Sequence, residues 1–72
     1  MIRIPGIPHA EFPNKSAAER ALSVIYREAY HAARARGLDV GEALDDAGQE
    51  VAALLGDLTC FLDSETLTVV LD

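Results

Sequence analysis

The apolar positions of this chain change period as the sequence proceeds. Ala18, Ala21, Leu22, Ile25, Ala29, Ala32 and Ala33 recur at the three- and four-residue intervals of one helical face. Arg20, Val24, Arg27, His31 and Arg34 fall on the opposite face, and Tyr26 and Tyr30 lie one turn apart on the flank between the two. Ser16-Ala17-Ala18-Glu19 reads as a capping box and Gly37 as a left-handed stop, so a first helix is expected over 16–37. Asp39-Val40-Gly41-Glu42 repeats the capping pattern and opens a second helix over 39–56, ending near Gly56. Its apolar stripe is Val40, Leu44, Ala47, Val51, Leu54, Leu55 and Leu58, with Leu44, Val51 and Leu54 at the centre. Asp39, Glu42, Asp46, Glu50 and Asp57 form an acidic stripe well away from it. So short a connection forces the helices back on each other as a helical hairpin.

Beyond Gly56 the period falls to two. Leu58, Cys60 and Leu62, then Leu67, Val69 and Leu71, alternate with Thr59, Phe61, Asp63, Thr66, Thr68 and Val70. A turn at Asp63-Ser64-Glu65-Thr66 would pair Leu62 with Leu67, Cys60 with Val69 and Leu58 with Leu71. That register puts all six on one apolar face and turns Phe61 and Val70 outward. A two-stranded hairpin over 58–72 is marginal alone, so its apolar face should cover the helices. Residues 1–15 contain all three prolines. Met1 to Ile4 could form a short edge strand; Pro5-Gly6-Ile7-Pro8 should break it, leaving an arm whose Ile7 and Phe12 need packing partners. The expected fold is α+β in a single domain over 1–72: a helical hairpin packed against a C-terminal β-hairpin, the N-terminal arm available as a third strand. A purely helical alternative runs the second helix through Gly56 to about Leu62.

With 72 residues the chain buries a modest core, about 3–5 kcal/mol of net stability. Cys60 is the sole cysteine, so no disulfide within the chain reinforces it. Self-association or a partner is the remaining supplement, and a homodimer formed through the outward Phe61 and Val70 is expected. A lone cysteine at an apolar position suits a reducing compartment, no apolar run reaches bilayer-spanning length, and the N-terminal residues lack the apolar stretch of a secretory signal. A cytoplasmic protein without membrane contact is the expectation.

The candidate chemistry is sparse. His9, His31 and Cys60 lack metal-ligand spacing, and Cys60 sits on the inward face of a strand, where it behaves as a small hydrophobe. There is no nucleophile elbow and no glycine-rich phosphate loop. A non-enzymatic protein without metal or cofactor follows as the expectation.

Charge alters the picture most. Residues 1–38 hold all six cations and three acids, net +3, whereas residues 39–72 hold nine acids and no cation, net −9, together the −6 of the chain. Glu42, Asp45, Asp46 and Glu50 are therefore the candidate contacts for a basic partner, with Tyr26 and Tyr30 as flanking interface anchors. A solvated helix face is the plain alternative for those acids. The arginine stripe could meet phosphates, but a net charge of −6 argues against direct nucleic-acid binding. The expected function is that of a small acidic interaction protein that binds and modulates, or inhibits, a partner protein. Two other roles fit the same features: an acidic mimic of nucleic acid that blocks a DNA- or RNA-binding protein, and a structural subunit of a larger assembly.

Overall fold

A computed structural model describes residues 1–72. The elements run β1 (Ile2–Ile4), β2 (Ile7–Phe12), α1 (Lys15–Ala35), α2 (Val40–Leu55), β3 (Cys60–Asp63) and β4 (Thr68–Leu71). The α+β class and the helical hairpin stand as expected, and the helix ends at Leu55 with strands beyond it exclude the purely helical alternative.

α1 is capped two residues earlier than Ser16 suggests. Asn14 is the N-cap and its side chain accepts from the Ala17 amide at 2.8 Å. Asn is as good a cap as Ser. Glu19 is thereby released from any capping box and bonds elsewhere. At the other end the expected stop holds. Gly37 has φ 96°, the Leu38 amide donates to Ala33 O and the Gly37 amide to Arg34 O, a Schellman closure. α2 carries the full capping box, Asp39 accepting from the Glu42 amide and Glu42 accepting from the Asp39 amide.

The two helices pack through small side chains. Ala18, Leu22, Ser23, Tyr26, Ala29 and Ala33 of α1 and Ala43, Ala47, Val51 and Leu55 of α2 are buried. The buried face of α1 is thus rotated toward Ser23 and Tyr26, at the expense of Ala32, which is exposed. Tyr26 lies in the core, not on an open flank, at 2% exposure. Of the residues expected at the centre of the α2 stripe, Val51 is fully buried whereas Leu44 and Leu54 are half-buried.

The N-terminal arm corrects the sequence reading. It forms its own antiparallel hairpin, a separate two-stranded sheet, and does not add a third strand to β3–β4. Pro5-Gly6 supplies the two-residue turn that was expected only to interrupt a strand. Ile4 is fully buried, with Ile2, Ile7 and Phe12 packed against the same core. The Gly6 amide donates to Leu54 O at 2.6 Å, so the turn satisfies a carbonyl left open at the end of α2.

The C-terminal hairpin forms, in a register two residues from the expected one: Cys60 opposes Leu71, Phe61 opposes Val70 and Leu62 opposes Val69. A shift of two keeps every side chain on its face. Cys60, Leu62, Val69 and Leu71 still turn inward, and Phe61 and Val70 still turn out at 63% and 47% exposure. Leu58 and Leu67 leave the ladder. Leu67 takes φ 55° at the end of a four-residue loop, and Asp63 Oδ1 holds that loop by accepting from the Glu65 and Thr66 amides. Four loop residues with one in the left-handed region moved the register.

α1 is the hub, with α2 on one flank and β4 on the other. Its contact with β4 is a polar ladder. Glu19 Oε2 accepts from the Leu71 amide at 2.8 Å, Ser23 Oγ from the Val69 amide at 2.9 Å, and Arg27 Nε donates to Leu67 O at 3.3 Å. One step of four helical residues advances about 6 Å and one step of two strand residues about 6.8 Å, so three successive rungs stay in register. Ser23 Oγ also donates to Glu19 O at 2.7 Å. The outer edge of β4 is sealed by a helix face in place of a third strand.

Candidate protein-interaction site

The hub arrangement leaves β3 and α2 facing each other across a gap. The result is an open groove of about 550 Å³, lined by Gly41, Leu44, Asp45, Gly48, Gln49 and Ala52 of α2, Leu62 and Ser64 of the C-terminal hairpin, and Tyr26 at its floor. The α2 residues recur at three and four positions, so they form one straight stripe along the helix. Glycine in a helix interior is about 1 kcal/mol less favourable than alanine. Gly48 has a local reason to be there: a Cβ at that position would lie 3.2 Å from Leu62 Cδ1.

The bare strand edge is the second feature of the groove. The Asp72 amide donates to Thr59 O, and Val69 and Leu71 send their amides to α1. In an antiparallel ladder this alternation fixes the rest. Thr59, Phe61 and Asp63 bond across to β4, and the N–H and C=O groups of Cys60 and Leu62 point the other way. No strand, helix or side chain meets them. One edge of the hairpin is sealed and the other is open.

Tyr26 supplies the third. Its ring is buried, yet its hydroxyl makes no hydrogen bond within the chain and is not sealed off, so it reaches the groove. Burial pushes the phenol pKa up, and the Asp63 carboxylate adds to the rise.

The expected acidic cluster is divided by the helix. At 100° per residue, Asp45 sits with Gly41, Gly48 and Ala52 on the groove face, and Glu42, Asp46 and Glu50 lie roughly a quarter to a half turn away. Glu42 is occupied by its cap and Asp46 by Arg36 at 3.1 Å. Asp45 and Glu50 are exposed and unpaired. Tyr30 is half-buried against the core, edge-on to His31 with ring centroids 5.3 Å apart. The arginines are largely engaged: Arg3 with Glu11, Arg27 with Leu67 O, Arg34 with Leu38 O. Sequence reasoning found Asp45 and Tyr26 without seeing that they share one groove. The available signal was two glycines, Gly41 and Gly48, seven apart inside a strongly patterned helix.

Elsewhere the chemistry is thin. Burial pushes the Cys60 thiol pKa up, with the Asp72 carboxylate adding to it, the reverse of nucleophile activation. No three His, Cys, Asp or Glu side chains converge as metal ligands do. A second cavity, about 380 Å³ between Ile2, Lys15, Leu58 and Leu71, mixes one cation with Asp57 and Asp72. No helix is long and apolar enough to cross a membrane. No protein-family model matches the chain, and neither do any curated protein or solved structure.

Proposed function

We propose that this chain is a small non-catalytic protein that binds, and by binding modulates, a partner with a basic surface. The single observation that carries the reading is the charge distribution in space. Of nine acids after residue 38, only Asp46 meets a cation. The field over α2 and the C-terminal hairpin is left uncompensated, and it would speed encounter with a basic surface. A free Cys60 suits a reducing compartment, which supports the reading of a cytoplasmic protein.

The clean test spares the acids that hold the fold. Glu42 and Asp46 have structural partners, so the variant is Asp45→Asn with Glu50→Gln, and the control is Arg20→Gln. Partners captured from the source cells with the native chain should associate more slowly with the acid variant and show a weaker salt dependence. The control should behave as the native chain. A partner lost by the arginine control and kept by the acid variant reverses the assignment.

A further inference from the structure

We propose that the groove between α2 and β3 binds an extended, basic segment of a partner protein as an added strand on the β3 edge. The proposal rests on the reading that the partner is basic and adds how it is held. Three independent features converge on the groove. The backbone groups of Cys60 and Leu62 point outward without partners, whereas on the matching edge of β4 the Val69 and Leu71 amides are taken by Ser23 and Glu19. Main-chain bonds to such an edge give affinity, and alternate side-chain pockets give specificity. Gly41 and Ala52 keep the α2 wall low on either side of Gly48, whose own space Leu62 fills, and this leaves room for side chains of an incoming strand pointing down. Tyr26, nine-tenths buried and more, presents an unpartnered hydroxyl at the floor.

Charge selects the occupant. Asp45 lines the groove, and Asp63 and Glu65 flank the end of β3, with no cation anywhere after residue 38. A second copy would bring its own β3 and Asp45 to the same place, acid against acid at a net −6 each. A segment with basic side chains at alternate positions meets the rim instead, those turned toward α2 reaching Asp45 beside Leu44 and Ala52 while the others face away.

The test uses the full chain, isotopically labelled, and a capped hexapeptide alternating Lys and Val. On titration the Cys60 and Leu62 amide resonances should shift and their hydrogen exchange should slow. An added strand bonds β3 through one alternate set of its amides. N-methylation of that set should weaken binding about tenfold or more, and N-methylation of the other set should change it little. Asp45→Lys should weaken the Lys-Val peptide by a similar factor while leaving the spectrum of the free protein folded. Binding over α2 that ignores both methylation patterns overturns strand addition and leaves the acidic reading standing. A Thr-Val peptide that binds as tightly as Lys-Val overturns the basic partner and leaves strand addition standing. If no peptide moves Cys60 or Leu62, the proposal falls. It falls also if those amides become protected on raising the protein concentration alone, because a second copy is then the occupant.

Discussion

Gly6 tolerates no side chain: a Cβ there would lie 2.5 Å from Leu54 Cα and 2.8 Å from Leu54 O. The obstacle is backbone, which cannot swing aside as a side chain can. Gly6→Ala should therefore destabilise at the upper part of the overpacking range of about 1–3 kcal/mol, read as a lower urea midpoint. An unchanged midpoint would mean that the N-terminal turn does not dock on α2. Two titrating side chains give a second residue-scale expectation. The Cys60 thiol and the Tyr26 phenol are both raised above their ordinary values of 9.0 and 10.0. In alkali the unfolded chain loses these protons first, so the folded chain holds more protons and stability falls as pH rises. Urea midpoints should drop between about pH 8 and about pH 11, and Tyr26→Phe with Cys60→Ala should flatten the drop. A midpoint independent of pH in both chains would show that neither group is desolvated.

At the scale of elements, the join between α1 and β4 is the most distinctive feature. Ser23 is a buried polar residue at 5% exposure, and it is fully used as donor and acceptor. Ser23→Ala would leave the Val69 amide buried without a partner, a cost of about 1–3 kcal/mol. The exchange of the Val69 amide should quicken more than that of amides within α2. Equal quickening throughout would show only a general loss of stability. Glu19→Gln keeps an oxygen acceptor for Leu71 and should be much milder than Glu19→Ala. Both helices and the hairpin were legible as elements because their periods and caps are local properties. The register of the hairpin was not, because two registers related by a shift of two expose the same faces. Loop length decided between them.

The whole molecule has a thin core whose largest fully buried side chains are Ile4, Leu22, Val51 and Val69. Leu22→Ala should cost about 2–5 kcal/mol, comparable to the entire stability of so small a domain, and most of the population should unfold at room temperature. A folded, cooperative transition in that variant would place the core elsewhere. Self-association belongs to this scale too. Phe61 and Val70 are direct cross-strand neighbours on the outer face, and two copies meeting there would carry a net −6 each. Screening should favour the dimer, so sedimentation equilibrium at micromolar concentration should show more of it as salt is raised, and Phe61→Lys should abolish it. A monomer at every salt concentration removes the homodimer.

The sequence by itself determined what is local. It fixed where α1 stops, because Gly37 can take a left-handed conformation beside a helix end, and how α2 starts, because Asp39 and Glu42 can cap one another. It also determined the inward face of the C-terminal hairpin and the acidic second half of the chain. Only the tertiary structure decided what those elements do together. Asn14 and not Ser16 caps α1, which frees Glu19 for an amide fifty-two residues away. Gly6 reads as a breaker along the chain, yet in space it is the one residue that lets a turn rest on Leu54. Tyr26 reads as a flank residue until α2 and β4 close around α1 and leave its hydroxyl at the floor of a groove. Periodicity assigns faces within an element. Which face meets which neighbour, and which strand edge is left unpaired, depends on contacts between residues distant in sequence, and no local pattern encodes them.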